Sequence, residues 1–164
     1  MIAIKRVTVE TALVFKGVRL RALQESPTAF SSTYAKESQL PGEEWVRRAV
    51  RWGADETAAI FLAFDGDSAC GMVGSLVDDE NANRAHVISM WVDPAYRRFG
   101  VGKALIDAVV EWNRSIGVSE TVLMVTSVNT GAIAFYERIG FRMTGVTGPY
   151  PNDPAIIEHE MTLS

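Results

Sequence analysis

The sequence predicts one domain of mixed α/β class, in which strands and helices are interspersed and hairpins stand at both ends. Three observations carry this reading. The chain has 164 residues, enough to bury one hydrophobic core and short for two. Its apolar runs switch between the period of a strand and the period of a helix. No repeat, low-complexity tract or Pro/Gly/Ser-rich linker divides it, so residues 1–164 read as a single unit.

Residues 2–9 read as a short strand. A helix is expected from about Glu10 to Gln24, with Leu13, Leu20 and Leu23 on one side and Val14 and Val18 widening the stripe. The stretch ESPTAFSSTYAKESQLPG is rich in Pro, Ser and Thr and reads as a loop with one broken helical turn. A second helix starts near Pro41, where Trp45, Val46, Ala49, Val50 and Trp52 follow helical spacing and Glu43 and Glu44 favour the first turn. This helix is expected to bury both tryptophans.

From Ala58 the period changes. AAIFLAF and ACGMVGSLV are apolar runs joined by Asp65-Gly66-Asp67-Ser68, a hairpin signal. AHVISMWV is a third strand, stopped by Asp93-Pro94. VGKALIDAVVEWNRSIG then places Leu105, Val109, Trp112 and Ile116 at helical spacing and ends on Gly117. TVLMVTSV is the next strand, TGAIAFYERIG a short helix capped by Asn129, and residues 141–146 and 155–163 complete the chain as strands.

Composition narrows the function class. Apolar residues make up 48% and charged residues 22%, close to the average for a globular domain. The lone Cys70 forms no intrachain disulfide, which points to a reducing compartment and by default the cytoplasm. Nothing flanks Cys70 to activate it as a nucleophile, so it reads as a small buried residue. No apolar run reaches the ~18 to 20 residues of a membrane span, and MIAIKRVTVE carries charges where a leader needs its apolar core. The formal charge of −4 argues against a general nucleic-acid binder.

The chemistry is expected in VDPAYRRFGVGKAL: a strand end, two arginines, two glycines one residue apart, a lysine, and at once a helix. Glycines let a ligand approach the backbone, and the first amides of a helix point outward unpaired, so the stretch Arg97, Arg98, Phe99, Gly100, Val101, Gly102 and Lys103 is built for a phosphate or pyrophosphate. Spacing excludes two common phosphate loops. A P-loop needs a glycine where Arg97 stands and Ser or Thr where Ala104 stands. A dinucleotide fingerprint starting at Gly100 needs a glycine or alanine where Leu105 stands.

What remains, Arg97-x-x-Gly100-x-Gly102 preceded by Val92, Pro94 and Arg97 in a V-x-P-x-x-R pattern, resembles the acyl-CoA pyrophosphate motif of GNAT acyltransferases. A second segment, with Asn129, Ala132, Phe135, Tyr136, Gly140 and Phe141, resembles the family's N-x-x-A-x-x-F-Y-x-x-x-G-F pattern at every named position. The resemblance covers residues 85–146; before that it extends only to the order of elements. It implies a mostly antiparallel sheet of about six or seven strands with helices on both faces, and acetyl-CoA as cosubstrate, bound by Met90, Trp91, Val92, the 97–103 loop, Asn129, Ala132 and Phe135.

The activity so implied is acetyl transfer to a primary amine of a small molecule or a peptide N-terminus, by direct attack in a ternary complex and without a metal. Tyr136 is the implied acid for the departing thiolate, since a phenol of pKa about 10 is protonated at neutral pH; it also makes sense as a packed aromatic. Asn129 is explained equally as a helix cap. No residue stands out as general base: His86 on the strand before the loop is one candidate, and Glu158 and His159 on the last strand are others. The resemblance implies an acceptor wall in the irregular ESPTAFSSTYAKE segment, with Phe30, Tyr34 and Glu37 lining it; a solvated connection explains that segment equally. The resemblance allows a homodimer. Two rival readings remain, an acyl-CoA sensor without catalysis and an unrelated phosphate-binding enzyme.

Overall fold

The computed structural model describes residues 1–164. Its centre is one seven-stranded sheet in the order β1-β2-β3-β4-β5-β7-β6. The strands are β1 (Ile2–Arg6), β2 (Ala58–Asp65), β3 (Ser68–Val77), β4 (Arg84–Val92), β5 (Glu120–Thr126), β6 (Arg142–Tyr150) and β7 (Asp153–Leu163). Every neighbouring pair is antiparallel except β4 and β5, which run parallel and are joined through a helix. The helices are α1 (Ala12–Glu25), α2 (Tyr34–Glu37), α3 (Gly42–Ala54), α4 (Val101–Ser115) and α5 (Thr130–Arg138).

Two cores lie on the two faces of the sheet. On one, Phe15, Val18 and Leu23 of α1 and Trp45 and Ala49 of α3 meet Ile60, Leu62, Met72 and Trp91. On the other, Val101, Leu105 and Val109 of α4 and Tyr136 of α5 meet Val73, Val87, Leu123 and Met161. No helix is long and apolar enough to cross a membrane. Cys70 is buried in the second core without a disulfide partner, and burial, then the nearby Asp65 and Asp93, push its thiol up.

Several elements differ from the sequence reading, each for a physical reason. The first strand stops at Arg6 because Thr8 and Thr11 cap one another around a 3-10 turn (Val9–Thr11), and α1 begins only at Ala12. Leu13 and Val14 are exposed. The buried stripe is Ala12, Phe15, Val18, Ala22 and Leu23, because Phe15 sets its ring edge against Trp45 at 5.6 Å and fixes the helix rotation. In α3, Trp45 is buried, but Trp52 is only partly so, and Val46 and Val50 face solvent. Ile116 at the end of α4 is also exposed. The final hairpin is longer than expected at both strands, since Tyr150 pairs with Asp153 across a tight turn.

The parallel pair is what makes a site. β4 and β5 are in register only from Arg84–His86 against Glu120–Val122, and an Arg84–Glu120 ion pair at 2.6 Å closes that end. Beyond His86 they diverge. On the other side of β4, Met72 faces Trp91 and Gly74 faces Ile88, so Ser89 and Met90 together oppose Val73 in a bulge. Ser89 takes φ 55°, a left-handed conformation costing roughly 1–2 kcal/mol for a residue with a Cβ. The bulge reverses the alternation of β4, so that Val87 faces the second core and Trp91 the first.

Candidate active site

The divergence of β4 and β5 opens a cleft of about 1250 Å³ that reaches both faces of the sheet. On one wall, β4 ends and α4 begins. Asp93 caps the turn at Pro94–Tyr96, its carboxylate accepting from the Ala95 amide at 2.9 Å. Arg98 (φ 72°) and Gly100 (φ 81°) then take left-handed conformations that swing the chain into the helix. The first helical amide to find an acceptor is that of Ala104, on the Gly100 carbonyl at 3.0 Å. The N–H groups of residues 98–103 donate to nothing in the chain. Consecutive free amides at the positive end of a 15-residue helix form a cradle for an anion.

Gly102 is required here by contact. A Cβ at this position would stand 2.9 Å from Phe135 Cζ and 3.4 Å from Met90 Cε. Asn129 caps α5, its side-chain oxygen accepting from the Ala132 amide at 3.3 Å. Tyr136, on the same helix, is buried against Phe135 and Phe141 while still lining the cleft. Its hydroxyl has no partner in the chain, and burial pushes its phenol well above the ordinary value, so at neutral pH it carries its proton.

Met90, Trp91, Val92, Arg97, Arg98, Gly100, Gly102, Lys103, Asn129, Ala132, Phe135 and Tyr136 all line this one cleft. Two residues named with them do not bring their side chains to it. Val101 is buried in the α4 core, and Phe99 is exposed beside Met1, Ile2 and Tyr96; each offers only its amide. Arg97 is less free than its place in the loop implies. Its Nε donates to the Val92 carbonyl at 3.0 Å, and Nη2 is bonded to Glu25, so it clamps the strand end and part of its charge is matched. Lys103 pairs with Asp107 at 2.7 Å.

Glu25 is a residue that sequence reasoning missed. It lies at the end of α1 and also accepts from Trp91 Nε1 at 3.0 Å. Burial acts to raise its carboxyl, but hydrogen bonds from Ser26, Trp91 and Arg97 outweigh that and hold it below the ordinary value. No local signal marks such a residue, because its partners are 66 and 72 positions away.

The opposite wall comes from α1, the following loop and α3. Arg19 donates twice to Glu37, at 3.0 and 2.9 Å, and once to the bulged Ser89 at 2.9 Å. Arg48 adds a third bond to Glu37 at 2.9 Å. Burial favours the neutral acid at Glu37, yet the two arginines and Ser32 bring its pKa down to about 2. The loop is pinned by the final hairpin: Tyr150 donates to the Pro27 carbonyl at 2.9 Å and to that of Phe30, and Asn152 donates to Phe30 at 3.1 Å. Phe30 and Glu37 line the cleft, whereas Tyr34 does not and is exposed.

Among the base candidates, His86 lines the cleft with Nε2 held 2.7 Å from Asp78. His159 is not on the lining. Glu158 is: it stands beside Thr126 across the β5–β7 ladder, has neither hydrogen bond nor ion pair, and burial raises its carboxyl.

The family model of the acetyltransferase (GNAT) family matches residues 21–141. The chain belongs to the GNAT acetyltransferase family. This GNAT chain is 33% identical over 124 residues to [ribosomal protein bS18]-alanine N-acetyltransferase of Escherichia coli, covering 75% of the chain and 81% of that protein. It is 33% identical over 95 residues to human N-acetyltransferase 8, covering 56% of the chain and spanning only 42% of the human protein. The structure of yncA from Salmonella typhimurium with its cofactor acetyl-CoA superimposes over 100% of this chain and 94% of that one, with a TM-score of 0.79 at 14% identity. That last likeness is one of fold.

Proposed function

We propose that this GNAT chain transfers an acetyl group from acetyl-CoA to the primary amine of a small molecule or peptide N-terminus. The observation that carries the reading is the run of unpaired amides at residues 98–103 opening onto the same cleft as the protonated, unpartnered Tyr136. The amides receive the pyrophosphate, helped by the charge of Arg98 and Lys103. The acyl-pantetheine arm enters where β4 leaves β5, beside Met90, Trp91 and Val92, whose backbone on that side has no ladder partner. Acetyl-CoA bound to a protein of the same fold supports acetyl-CoA as the cosubstrate.

The chain's own residues then have distinct tasks. The amine nitrogen attacks the thioester carbon, and backbone amides of the opened strand hold the developing oxyanion. As the carbon–sulfur bond breaks, Tyr136 O–H protonates the leaving sulfur. Glu158 accepts the proton that the amine sheds; solvent restores both groups. A burial-raised carboxylate suits this role better than an ordinary one, because its basicity lies closer to neutral pH. We place the reaction in the cytoplasm and assign it no metal, nucleic-acid or membrane partner; the homodimer belongs to the same proposal.

The test is acetyl-CoA with a panel of amino acids, polyamines, aminoglycosides and peptides, following release of the CoA thiol. Amine-dependent release is expected. Tight binding without release on any amine points to a sensor, and no binding at all removes the acyl-CoA reading.

A further inference from the structure

The two ends of the cleft carry positive charge for different reasons. The loop and helix start at residues 97–103 sit beside α4, whose packing partners belong to one face of the sheet. A second basic group lines the cleft from the other face: Arg19 of α1 with Arg47, Arg48 and Arg51 of α3. A cosubstrate pyrophosphate held at α4 leaves that second group unused. Its presence is not a general property of the surface, since the chain as a whole has a formal charge of −4.

Most of these arginines are already matched. Glu37 takes Arg19 and Arg48, and Glu44 takes Arg47 and Arg48. Arg51 makes no direct ion pair: Asp55, one turn further on, spends its carboxylate on the amide and hydroxyl of Thr57, both at 2.7 Å, and feels Arg51 only as a nearby charge. The Arg51 guanidinium lies 5.1 Å from the centre of the Trp52 ring, which also lines the cleft. Stacking on a ring restrains a guanidinium and leaves its N–H edges free for a planar or tetrahedral anion.

We infer that the acceptor is a small amine that also bears an anionic group, a carboxylate or a phosphonate-like oxyanion, and that Arg51, stacked on Trp52, binds that group. This deepens the transferase reading and rests on it. Arg51 on α3 holds the anionic end, and Glu158, on β7, receives the amine. A small acceptor fits because the loop at Phe30 is tied down by Tyr150 and Asn152, and because the same cleft must also contain the acyl-pantetheine arm.

The experiment compares matched acceptors at a pH above their amine pKa: α-amino acids against their carboxamides, and aminoalkylphosphonates against the corresponding simple amines. Each anionic member is expected to exceed its neutral partner in kcat/KM by about tenfold or more, the scale of one charge-assisted contact. Preference confined to one series identifies the anion as carboxylate or phosphonate. In Arg51→Gln the ratio falls toward one, mainly through KM, and Arg51→Lys retains part of it. Acetyl-CoA affinity by calorimetry reports that each variant is folded. Equal or better turnover of the neutral partners, or an unchanged ratio in Arg51→Gln, overturns the inference while leaving the transferase reading intact. Absence of thiol release with every amine overturns both.

Discussion

The two walls of the cleft are made of different material. The α4 wall works through backbone: free amides of residues 98–103, a left-handed turn, and a glycine under an aromatic ring. The α1–α3 wall works through side chains, with Glu37 holding Arg19 and Arg48 and Arg19 reaching across to the bulge at Ser89. A backbone site tolerates most side-chain changes and fails when bulk enters it. A network of buried ions fails when any one member is removed, because the others keep the desolvation cost without the partner. The walls are thus sensitive to opposite kinds of substitution.

The largest effect is expected on the ionic wall. Glu37→Ala leaves the enclosed Arg19 without its acid and Arg48 with Glu44 alone, and should lower unfolding free energy by about 3 kcal/mol, read by urea denaturation. The sign with pH follows. The folded pKa of Glu37, about 2, lies below its ordinary value of 4.5, so the carboxylate's contribution is present above about pH 4.5 and is lost as pH falls toward 2. Wild-type stability should decline over that window, and Glu37→Ala should decline less.

On the backbone wall the comparable break is Gly102→Leu. Bulk directed at Phe135 and Met90 should weaken acetyl-CoA binding by about 100-fold, equivalent to roughly 2.7 kcal/mol, with a much smaller loss of thermal stability. Calorimetric titration with a melting curve separates the two. Equal losses of affinity and stability would show that Gly102 serves packing alone.

Tyr136→Phe is next. The ring contacts with Phe135 and Phe141 survive and only the hydroxyl is lost, so kcat should fall by about 10- to 100-fold while acetyl-CoA affinity holds. An unchanged kcat removes Tyr136 from the proton transfer. The smallest effect is expected at Asn129→Ala, about 1 kcal/mol of stability from the lost α5 cap; a loss of acetyl-CoA affinity beyond that found for a generally destabilised control would add a ligand contact to its role.

The α4 wall was legible because its parts are adjacent in the chain. Strand end, turn, glycines and helix start occupy residues 92–103, and the geometry that unpairs the amides is local. Spacing alone dismissed the nucleotide loops at Ala104 and Leu105. The α5 segment was legible for the same reason, with Asn129 capping as expected. The other wall was not. Phe30, Tyr34 and Glu37 were named only beside an equal reading of their segment as a solvated connection, and of the three Phe30 and Glu37 line the cleft while Tyr34 does not; the arginines of α3 were not singled out at all. The rotation of α1 was misjudged at Leu13 and Val14 because counting leucines does not reveal that Phe15 meets Trp45.

The sequence by itself determined a mixed α/β fold and the GNAT family, through periodicity and two motifs, and the glycine-bearing strand-to-helix turn whose amides at residues 98–103 stay unpaired, which depends on backbone conformations set within a dozen residues. Only the tertiary structure decided that Arg97 is tied to Glu25, that Phe99 and Val101 turn their side chains away, that Glu158 rather than His159 reaches the cleft, and that Arg51 stands there without a direct ion pair. Each of those depends on which distant residue fills or leaves the space beside a charge, and in this chain the fold sets those neighbours, not the order of residues along any one segment.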